Sequence, residues 1–217
     1  MGFSRPSGRP RGAWFWCAWI LVVFYATYPL ANWLASRRGR RYDFLTPWDG
    51  LIPLVPEWIW VYFSFFVFLL LPLALVDAEE LDALGRRMVA ATLFCALVFV
   101  LFPANLAFAR SLPEAEPYRS IFGMMFAVDQ PHNLLPSLHI VYSTGCAAAI
   151  CKSQWSRWRR TWLCALIALW ALAICASTML VHQHHVLDVV AALLLVALLQ
   201  WGIRPGRRLN TMDSAAG

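Results

Sequence analysis

Residues 161–203 read TWLCALIALWALAICASTMLVHQHHVLDVVAALLLVALLQWGI, two apolar runs separated by a short junction that holds three histidines. Each run, 161–180 and 186–203, is close to the roughly 20 residues that an α-helix needs to cross the hydrocarbon core of a bilayer. The few residues between the runs leave room only for a tight turn. This stretch therefore predicts two antiparallel membrane helices whose turn presents histidines at one membrane face.

Four further apolar segments precede this pair, and they cover residues 13–35, 58–76, 88–109 and 135–151. Hydrophobic residues make up 60% of the 217-residue chain and charged residues 14%, whereas roughly a quarter of the residues in soluble domains are charged. This composition excludes a disordered chain and disfavours a soluble domain. We therefore predict an all-α polytopic membrane protein, a single domain over residues 1–217 with six transmembrane helices in a bundle.

The connections between the segments are predicted from their polar and aromatic residues. Residues 37–57 contain several prolines and form an interfacial or re-entrant connection, and residues 110–133 include an amphipathic stretch at 121–128. The acidic residues at 79–82 are predicted to be a solvated loop. All six cysteines lie in or beside apolar segments, which favours buried thiols over disulfides or a zinc site.

An aromatic stripe opens the second apolar segment. Trp58, Trp60 and Tyr62 alternate along the chain. Because aromatic rings collect where a membrane meets water, we predict an interfacial belt, with the lining of a lipid entrance as the alternative.

The basic residues predict the orientation in the membrane. All but Lys152 of the 18 are arginine, and they cluster between the apolar segments, which fits anionic lipid better than nucleic acid. A topology with both termini in the cytoplasm places twice as many basic residues inside as outside, although residues 37–41 run against this bias. We therefore expect a basic cytoplasmic N-terminus (1–12) and a cytoplasmic tail (204–217). The expected membrane is the bacterial inner (plasma) membrane, and the histidine turn is expected on its outer, periplasmic face.

The five histidines occupy two stretches of the chain, and they are His132, His139, His182, His184 and His185. Between His139 and His184 the chain crosses the predicted bilayer twice, so both side chains return to the same face. Ionisable groups at the mouth of an apolar bundle are costly, and they are therefore functional candidates by default.

His184 and Asp188 are four residues apart, which is one turn of a helix. Helical side chains lean toward the N-terminus, so the carboxylate of Asp188 can reach the imidazole of His184. A carboxylate on one ring nitrogen fixes the tautomer and leaves the other nitrogen as a nucleophile or base. The alternative is an acid that only complements the dipole at a helix N-terminus.

Pro136-Ser137-Leu138-His139 is the second candidate motif. Proline suits the first turn of a helix, and a helix N-terminus with a serine hydroxyl can bind phosphate. His139, slightly deeper, is placed to protonate a leaving oxygen. The alternative is an ordinary helix cap followed by an unrelated histidine.

Together, Pro136-Ser137-Leu138-His139 and Ser177-Thr178-x5-His184-x3-Asp188 resemble the type 2 phosphatidic acid phosphatase (PAP2) superfamily. The second motif of that family reads P-S-[GL]-H, and the third reads S-R-x5-H-x3-D. The resemblance covers a core of residues 58–203. Leu138, with the stretches 49–53 and 58–62, is most similar to the branch that includes inositol phosphorylceramide synthases.

The resemblance implies a role for each matching residue. His184 attacks phosphorus and forms a phosphohistidine, and Asp188 orients it. His139 acts as general acid for the leaving alcohol and then activates the acceptor. Phosphate oxygens are held by residues of all three motifs, namely Ser137, Arg110, Ser177 and Thr178. The scheme uses no metal or other cofactor.

The sequence departs from the family pattern at the cations. The first motif reads K-x6-R-P, but Arg110 is followed by Ser111 and the lysine position falls on Pro103. Thr178 replaces the arginine of the third motif. Each lost cation removes stabilisation of the transition state. The candidates to compensate are Arg119, His182, His185 and the cluster at residues 37–41.

Three other functions stay open at this point. His182, His184, His185 and Asp188 have side chains that suit zinc or iron. A serine hydrolase of the intramembrane type would use Ser137 as its nucleophile. A non-catalytic lipid-binding, scaffolding or transport protein would retain the motifs as a degenerate site.

The interpretation that the motifs favour is a lipid phosphate phosphatase that works through a phosphohistidine. The expected substrate is a membrane lipid of the phosphatidate or isoprenyl (di)phosphate type, and no nucleic-acid partner is expected. The principal alternative is a lipid phosphotransferase that moves a phospho-head group to a lipid alcohol. The sequence leaves the oligomeric state open.

Overall fold

The computed structural model describes residues 11–106, 108, 110–128, 131–153 and 157–205. This part of the chain is mostly helical, as predicted, and contains eight α-helices: α1 (Arg11–Ser36), α2 (Ile59–Phe68), α3 (Leu71–Leu75), α4 (Ala78–Leu101), α5 (Tyr118–Val128), α6 (Leu138–Lys152), α7 (Arg157–Leu180) and α8 (Val186–Gly202). The strands β1 (Tyr42–Asp43) and β2 (Ala104–Asn105) pair in parallel. Single turns of 3-10 helix lie at Asp49–Leu51 and Pro56–Trp58.

Helix α6 is the centre of the bundle, in contact with α4, α7 and α8. Its residues Ile140, Cys146 and Ile150 are fully buried, as are Cys95 and Phe99 of α4. Removal of these apolar side chains from solvent contributes roughly 1.5–3 kcal/mol for each large residue. The core therefore surrounds the helix that carries His139 in its first turn, which holds the start of α6 in a fixed place.

Within the described ranges, three helices are long and apolar enough to cross a membrane, and they span Trp14–Ser36, Ala78–Leu101 and Thr161–Leu180. Large apolar side chains on their outer surfaces are exposed, including Leu169 at 65%. An apolar outer surface fits lipid as the surrounding medium. The other three predicted spans form shorter helices in α2, α6 and α8.

The second predicted segment, 58–76, is not one continuous helix. Helix α2 ends at Phe68, and α3 begins at Leu71 with Pro72 in its first turn. Proline lacks the N–H that would continue the ladder, and its ring disfavours helical backbone in the residue before it. The apolar composition of the segment concealed this break.

The prediction of a solvated acidic loop at residues 79–82 is wrong. These residues form the first turn of α4, which Asp77 caps by accepting a hydrogen bond from the Glu80 N–H. Glu80 is 4% exposed and pairs with Arg87, which is 3% exposed, at 2.5 Å. Because the two residues are seven apart, two helical turns bring their side chains together, and the pairing makes burial of both charges tolerable.

The third predicted segment, 88–109, ends as a helix at Leu101, before Pro103. The chain then enters β2, and the Tyr42 N–H donates to the Pro103 carbonyl at 2.9 Å. This short parallel pairing ties the connection at residues 37–57 to the end of α4. The amphipathic stretch predicted at 121–128 lies in α5, which buries Phe122 and Met125.

The contact between α1 and α4 depends on a glycine. Trp16 of α1 packs directly on Gly85 of α4, and its indole N–H donates to Asp82 at 2.8 Å. A methyl group at Gly85 would overlap the Trp16 side chain. Glycine at this position therefore sets how closely the two helices approach.

We predict that Gly85→Ala destabilises the protein by about 1–3 kcal/mol, because the added methyl group forces Trp16 away from α4. The matched control is Gly145→Ala in α6, where the nearest atom to a new methyl group is 3.9 Å away on Leu84. That change gains helix propensity and is expected to be neutral or stabilising by up to about 1 kcal/mol. Thermal unfolding in detergent compares the two variants, and equal melting temperatures would contradict the prediction.

Candidate active site

Two imidazoles converge at one end of the bundle. His139 is the second residue of α6, and His184 lies in the turn between α7 and α8. Their ring centroids are 5.9 Å apart with an interplanar angle of 62°. The convergence expected from two membrane crossings is therefore present, and the two rings meet edge to face.

The turn that carries His184 is fixed by backbone hydrogen bonds at the end of α7. The His182 N–H donates to the Met179 carbonyl, and the N–H groups of Gln183 and His184 both donate to the Thr178 carbonyl. His182 has a φ of 55°, the left-handed conformation that commonly ends a helix and that glycine usually supplies. The Nε2–H of His182 donates to the Ile52 carbonyl at 3.0 Å, which holds the turn against the preceding connection.

The pairing of His184 with Asp188 is present, but not within a single helix as expected. Helix α8 begins at Val186, so His184 precedes it and Asp188 occupies its first turn. Asp188 is fully buried, and its Oδ2 accepts from the His185 N–H at 2.8 Å and lies 3.3 Å from Nδ1 of His184. This contact orients the ring and leaves Nε2 on its opposite side.

Asp49 is a second carboxylate at the start of α8, and sequence reasoning did not select it for the site. Its Oδ1 accepts from the Val186 N–H at 2.8 Å, and its Oδ2 accepts from the backbone and hydroxyl of Thr46, each at 2.7 Å. The residue is fully buried. Burial would raise the pKa of the Asp49 carboxyl, but these hydrogen bonds and the nearby His185 hold that pKa below its ordinary value.

Tyr62 is the hydrogen-bond partner of His139. Its hydroxyl oxygen lies 3.0 Å from Nε2 of the imidazole, and the two ring centroids are 4.8 Å apart. Tyr62 is 4% exposed, whereas Trp60 is 55% exposed. The prediction that Tyr62 joins an interfacial belt is therefore wrong, because α2 turns Trp60 outward and Tyr62 toward the site.

Ser137 is the N-cap of α6, and its hydroxyl is available to a ligand. The residue is fully buried, and its Oγ has no hydrogen-bond partner within the described part of the chain. The Ser137 N–H donates to the Asp188 carbonyl at 3.3 Å, which joins the starts of α6 and α8. Pro136 lies just before the helix rather than in its first turn. A buried hydroxyl without a partner is costly. The role of Ser137 in holding phosphate stays a prediction.

Ser177 and Thr178 are buried in the last turns of α7. The Ser177 hydroxyl donates to the Ile174 carbonyl at 2.7 Å, and the Thr178 hydroxyl donates to the Cys175 carbonyl at 2.8 Å. Both hydroxyl protons are thus bound within their own helix, and the direct contribution of Thr178 to the turn is its backbone carbonyl. Their role as phosphate ligands stays a prediction.

Arg110 contacts α5 rather than either imidazole of the pair. Its guanidinium donates to the Phe126 carbonyl at 3.2 Å and lies 4.9 Å from the centre of the Phe126 ring. Arg41, from the cluster at residues 37–41, donates to Nδ1 of His132 at 3.2 Å. Burial lowers the pKa of His132, and the charges of Arg41 and Arg110 lower it further. These cations gather beside the loop that leads to Ser137, and the phosphate role of Arg110 stays a prediction.

His185 and His182 support the turn. His185 is the N-cap of α8, and its Nδ1 lies 3.6 Å from Oδ2 of Asp188. Burial lowers the pKa of His185, although the carboxylate of Asp188 acts to raise it. The ring of Phe108 stacks on His182 at 4.1 Å. Among the described residues, no three His, Cys, Asp or Glu side chains form a group with the geometry of a metal site.

Asp49 and Tyr62 precede the histidine motifs by more than seventy residues in the sequence, which is why spacing did not reveal them. Both fall in stretches for which the sequence analysis predicted a likeness to the inositol phosphorylceramide synthase branch, and that prediction was the one signal for them. That likeness pointed to the two stretches, but it predicted no contact for the side chain of Asp49 or of Tyr62.

One family model matches part of the chain. Residues 106–210 match the model of the PAP2 superfamily. The match includes every residue that the sequence analysis selected for catalysis or phosphate binding, from Arg110 to Asp188, and excludes Asp49 and Tyr62. It suggests a phosphatase-type enzyme, and the apolar helices fit a membrane-embedded protein. No curated protein and no solved structure matches the chain.

We predict that Asp49→Asn destabilises the protein at neutral pH by about 1.5–3 kcal/mol, the usual contribution of hydrogen bonds to a charged group. The depressed pKa of Asp49 stabilises the fold above the ordinary carboxyl value of 3.8, and this stabilisation is lost as pH falls through the lower folded value. The gap in melting temperature between variant and wild type is therefore expected to narrow below about pH 4.

The matched control for this measurement is Asp43→Asn, because Asp43 is exposed and its carboxylate accepts a hydrogen bond from the Asn105 side chain. That variant is expected to stay within about 0.5 kcal/mol of wild type. A gap for Asp49→Asn that is independent of pH between 3 and 7 would show that the carboxylate charge is unimportant.

Proposed function

We propose that this protein is a membrane-embedded lipid phosphate phosphatase of the PAP2 superfamily that works through a phosphohistidine at His184. The single observation that carries the proposal is the pair of imidazoles 5.9 Å apart, one of which has a buried carboxylate on its Nδ1. The match of residues 106–210 to the family supports the same reaction class.

The first half of the proposed reaction transfers the phosphoryl group of the substrate to His184. Asp188 accepts the Nδ1–H of the neutral ring, so Nε2 carries the lone pair that attacks phosphorus. The bond between phosphorus and the lipid oxygen breaks, and that oxygen takes a proton from protonated His139. The products of this step are a free lipid alcohol, or a shorter phosphate from a diphosphate, and a phosphohistidine.

The second half regenerates the enzyme. A water molecule loses a proton to His139 and attacks phosphorus, and the bond from phosphorus to Nε2 breaks. Inorganic phosphate leaves, His184 is neutral again, and His139 is ready to protonate the next leaving group. Proton balance is kept by His139 alone, so the cycle needs one acid–base group and one nucleophile.

The phosphate is held where α6 begins. The unpartnered, fully buried Oγ of Ser137 and the free N–H groups of the first turn of α6 are donors for its oxygens. Arg110 supplies positive charge from the α5 side in this proposal, and the cluster of Arg41 with His132 lies along the same loop. Neutral donors thus compensate in part for the missing cations of the family motifs.

The proposed placement in the membrane follows from the apolar segments and the distribution of arginine. Six crossings put both termini in the cytoplasm of a bacterial cell and the two imidazoles at the periplasmic face of the inner membrane. The substrate is a phosphatidate-like or isoprenyl (di)phosphate lipid whose tails stay in the bilayer while its phosphate reaches His184. Trp60 of α2 and Met124 of α5 are exposed apolar side chains, which suits contact with lipid.

A second candidate is phosphoryl transfer to a lipid alcohol in place of water. The observation that favours it concerns the stretch 49–53, which resembles the inositol phosphorylceramide synthase branch. That stretch is bound directly to the histidine turn, through Asp49 to Val186 and through Ile52 to His182. Incubation with lipid phosphates, with and without ceramide or diacylglycerol, separates the two functions by release of free phosphate or by formation of a new lipid.

We predict that His184→Gln abolishes turnover of a lipid phosphate, because glutamine has no nucleophilic nitrogen. Wild-type protein mixed rapidly with radiolabelled substrate and quenched in base is expected to carry an acid-labile phosphoryl group that this variant lacks. The matched control is Tyr142→Phe, a change at a buried side chain of α6 whose hydroxyl is bonded to Thr92 and not to either imidazole. Normal turnover by His184→Gln would contradict the proposal, and inactive wild type would favour a non-catalytic protein.

We predict that His139→Ala slows hydrolysis of an alkyl lipid phosphate by about 10²–10⁴-fold, the usual contribution of a general acid. An activated aryl phosphate leaves without protonation, so its hydrolysis is expected to fall far less. The comparison of kcat/KM for the two substrates is its own control for folding. Equal losses on both substrates would remove the acid role from His139.

A further inference from the structure

The hydroxyl of Tyr62 and Nε2 of His139 are joined at 3.0 Å from two different helices, α2 and α6. Tyr62 is held in a cluster of buried side chains contributed by α2, α5 and the end of α7, and these are Ile59, Phe122, Met125 and Val181. An apolar surrounding of this kind fixes the phenol ring and makes an unmade hydrogen bond costly. The position of the hydroxyl is therefore set by packing that lies largely outside the histidine motifs, with Val181 as the exception.

The two imidazoles have partners of different charge. The carboxylate of Asp188 lies on Nδ1 of His184, whereas a neutral hydroxyl lies on Nε2 of His139. A carboxylate strengthens a nucleophile, because it stabilises positive charge on the ring as the bond to phosphorus forms. A proton donor needs the opposite, a partner that orients the ring without holding its positive charge strongly.

We infer that Tyr62 is a positioning residue that accepts the Nε2–H of His139 and thereby makes Nδ1 the nitrogen that gives and takes the catalytic proton. This role rests on the proposed function. The Nε2–H stays on the ring throughout the cycle. The Nδ1 proton goes to the leaving oxygen in the first half of the reaction and returns from water in the second, so Tyr62 itself is neither oxidised nor ionised.

The tautomer of His139 tests the inference directly. Wild-type protein with ¹⁵N-labelled histidine, in detergent at a pH where His139 is neutral, gives a pair of ¹⁵N shifts for each of five rings, and His139→Gln identifies the pair from His139. A ring protonated at Nε2 is the expected result. In Tyr62→Phe the shifts of His139 are expected to move toward a mixture of the two tautomers.

The kinetics of Tyr62→Phe supply a second test, because a purely structural role of Tyr62 would not produce a different effect on two substrates. The kcat for an alkyl lipid phosphate is expected to fall about tenfold, the equivalent of one lost hydrogen bond, with KM within about twofold of wild type. An activated aryl phosphate needs no proton from His139 to form the phosphohistidine, so its kcat/KM, which reports only that half of the reaction, is expected to change by less than about twofold.

The matched control is Tyr142→Phe in α6. Tyr142 is 5% exposed, and its hydroxyl shares a hydrogen bond with Thr92, on the part of α6 that faces α4. The two variants remove the same atom from equally buried tyrosines of the bundle. Tyr142→Phe is expected to keep wild-type kcat on both substrates and an unchanged tautomer at His139.

Two results would overturn the inference and leave the proposed function standing: a wild-type His139 protonated at Nδ1 in the neutral ring, or Tyr62→Phe with wild-type kcat on the alkyl substrate. An equal loss on alkyl and aryl substrates would also overturn it, because the defect would then be one of folding or binding. Wild-type protein without turnover on any lipid phosphate would overturn the proposed function and this inference together.

Discussion

The buried carboxylate of Asp188 is the interaction on which the site depends. It lies in the first turn of α8, bonds the N–H of His185 and holds the ring of His184. Removal of such a charge from solvent is costly unless hydrogen bonds and opposing partial charges offset it, and the N-terminus of a helix supplies both. The same group thus begins a helix, closes a turn and orients the candidate nucleophile.

Asp49 completes this arrangement from a distant part of the chain. Its carboxylate binds the Val186 N–H next to the bonds made by Asp188, so two acids stabilise the N-terminus of α8. Thr46 holds Asp49 in place, and β1 and β2 tie the same connection to the end of α4. The connection before α2 is therefore part of the support of the histidine turn, although it contributes no group to the reaction proposed for that turn.

In the proposed mechanism, the environments of the two imidazoles divide the chemistry between them. The carboxylate of Asp188 beside His184 favours its role as nucleophile, and the hydroxyl of Tyr62 in an apolar cluster favours the role of His139 as acid. Charge around the phosphate is sparse in that mechanism, since Arg110 is bound to α5 and Thr178 takes the place of a cation. A site with few cations depends more heavily on the geometry of its neutral donors, and the fully buried Ser137 is the clearest of these.

Apolar runs and the short spacing of residues 136–139 and 184–188 were enough to predict a helical membrane protein and the meeting of His139 with His184, because hydropathy and helical pitch are local properties. The break before Pro72 depended on proline geometry. The start of α4 at Ala78 was missed because it includes an ion pair across two helical turns, and composition does not reveal such a pair. Tyr62 and Asp49 reach the site only when α2 and the preceding connection pack against α6 and α8. Nothing within either segment encodes such contacts, since each requires the position of a partner more than seventy residues away in the chain.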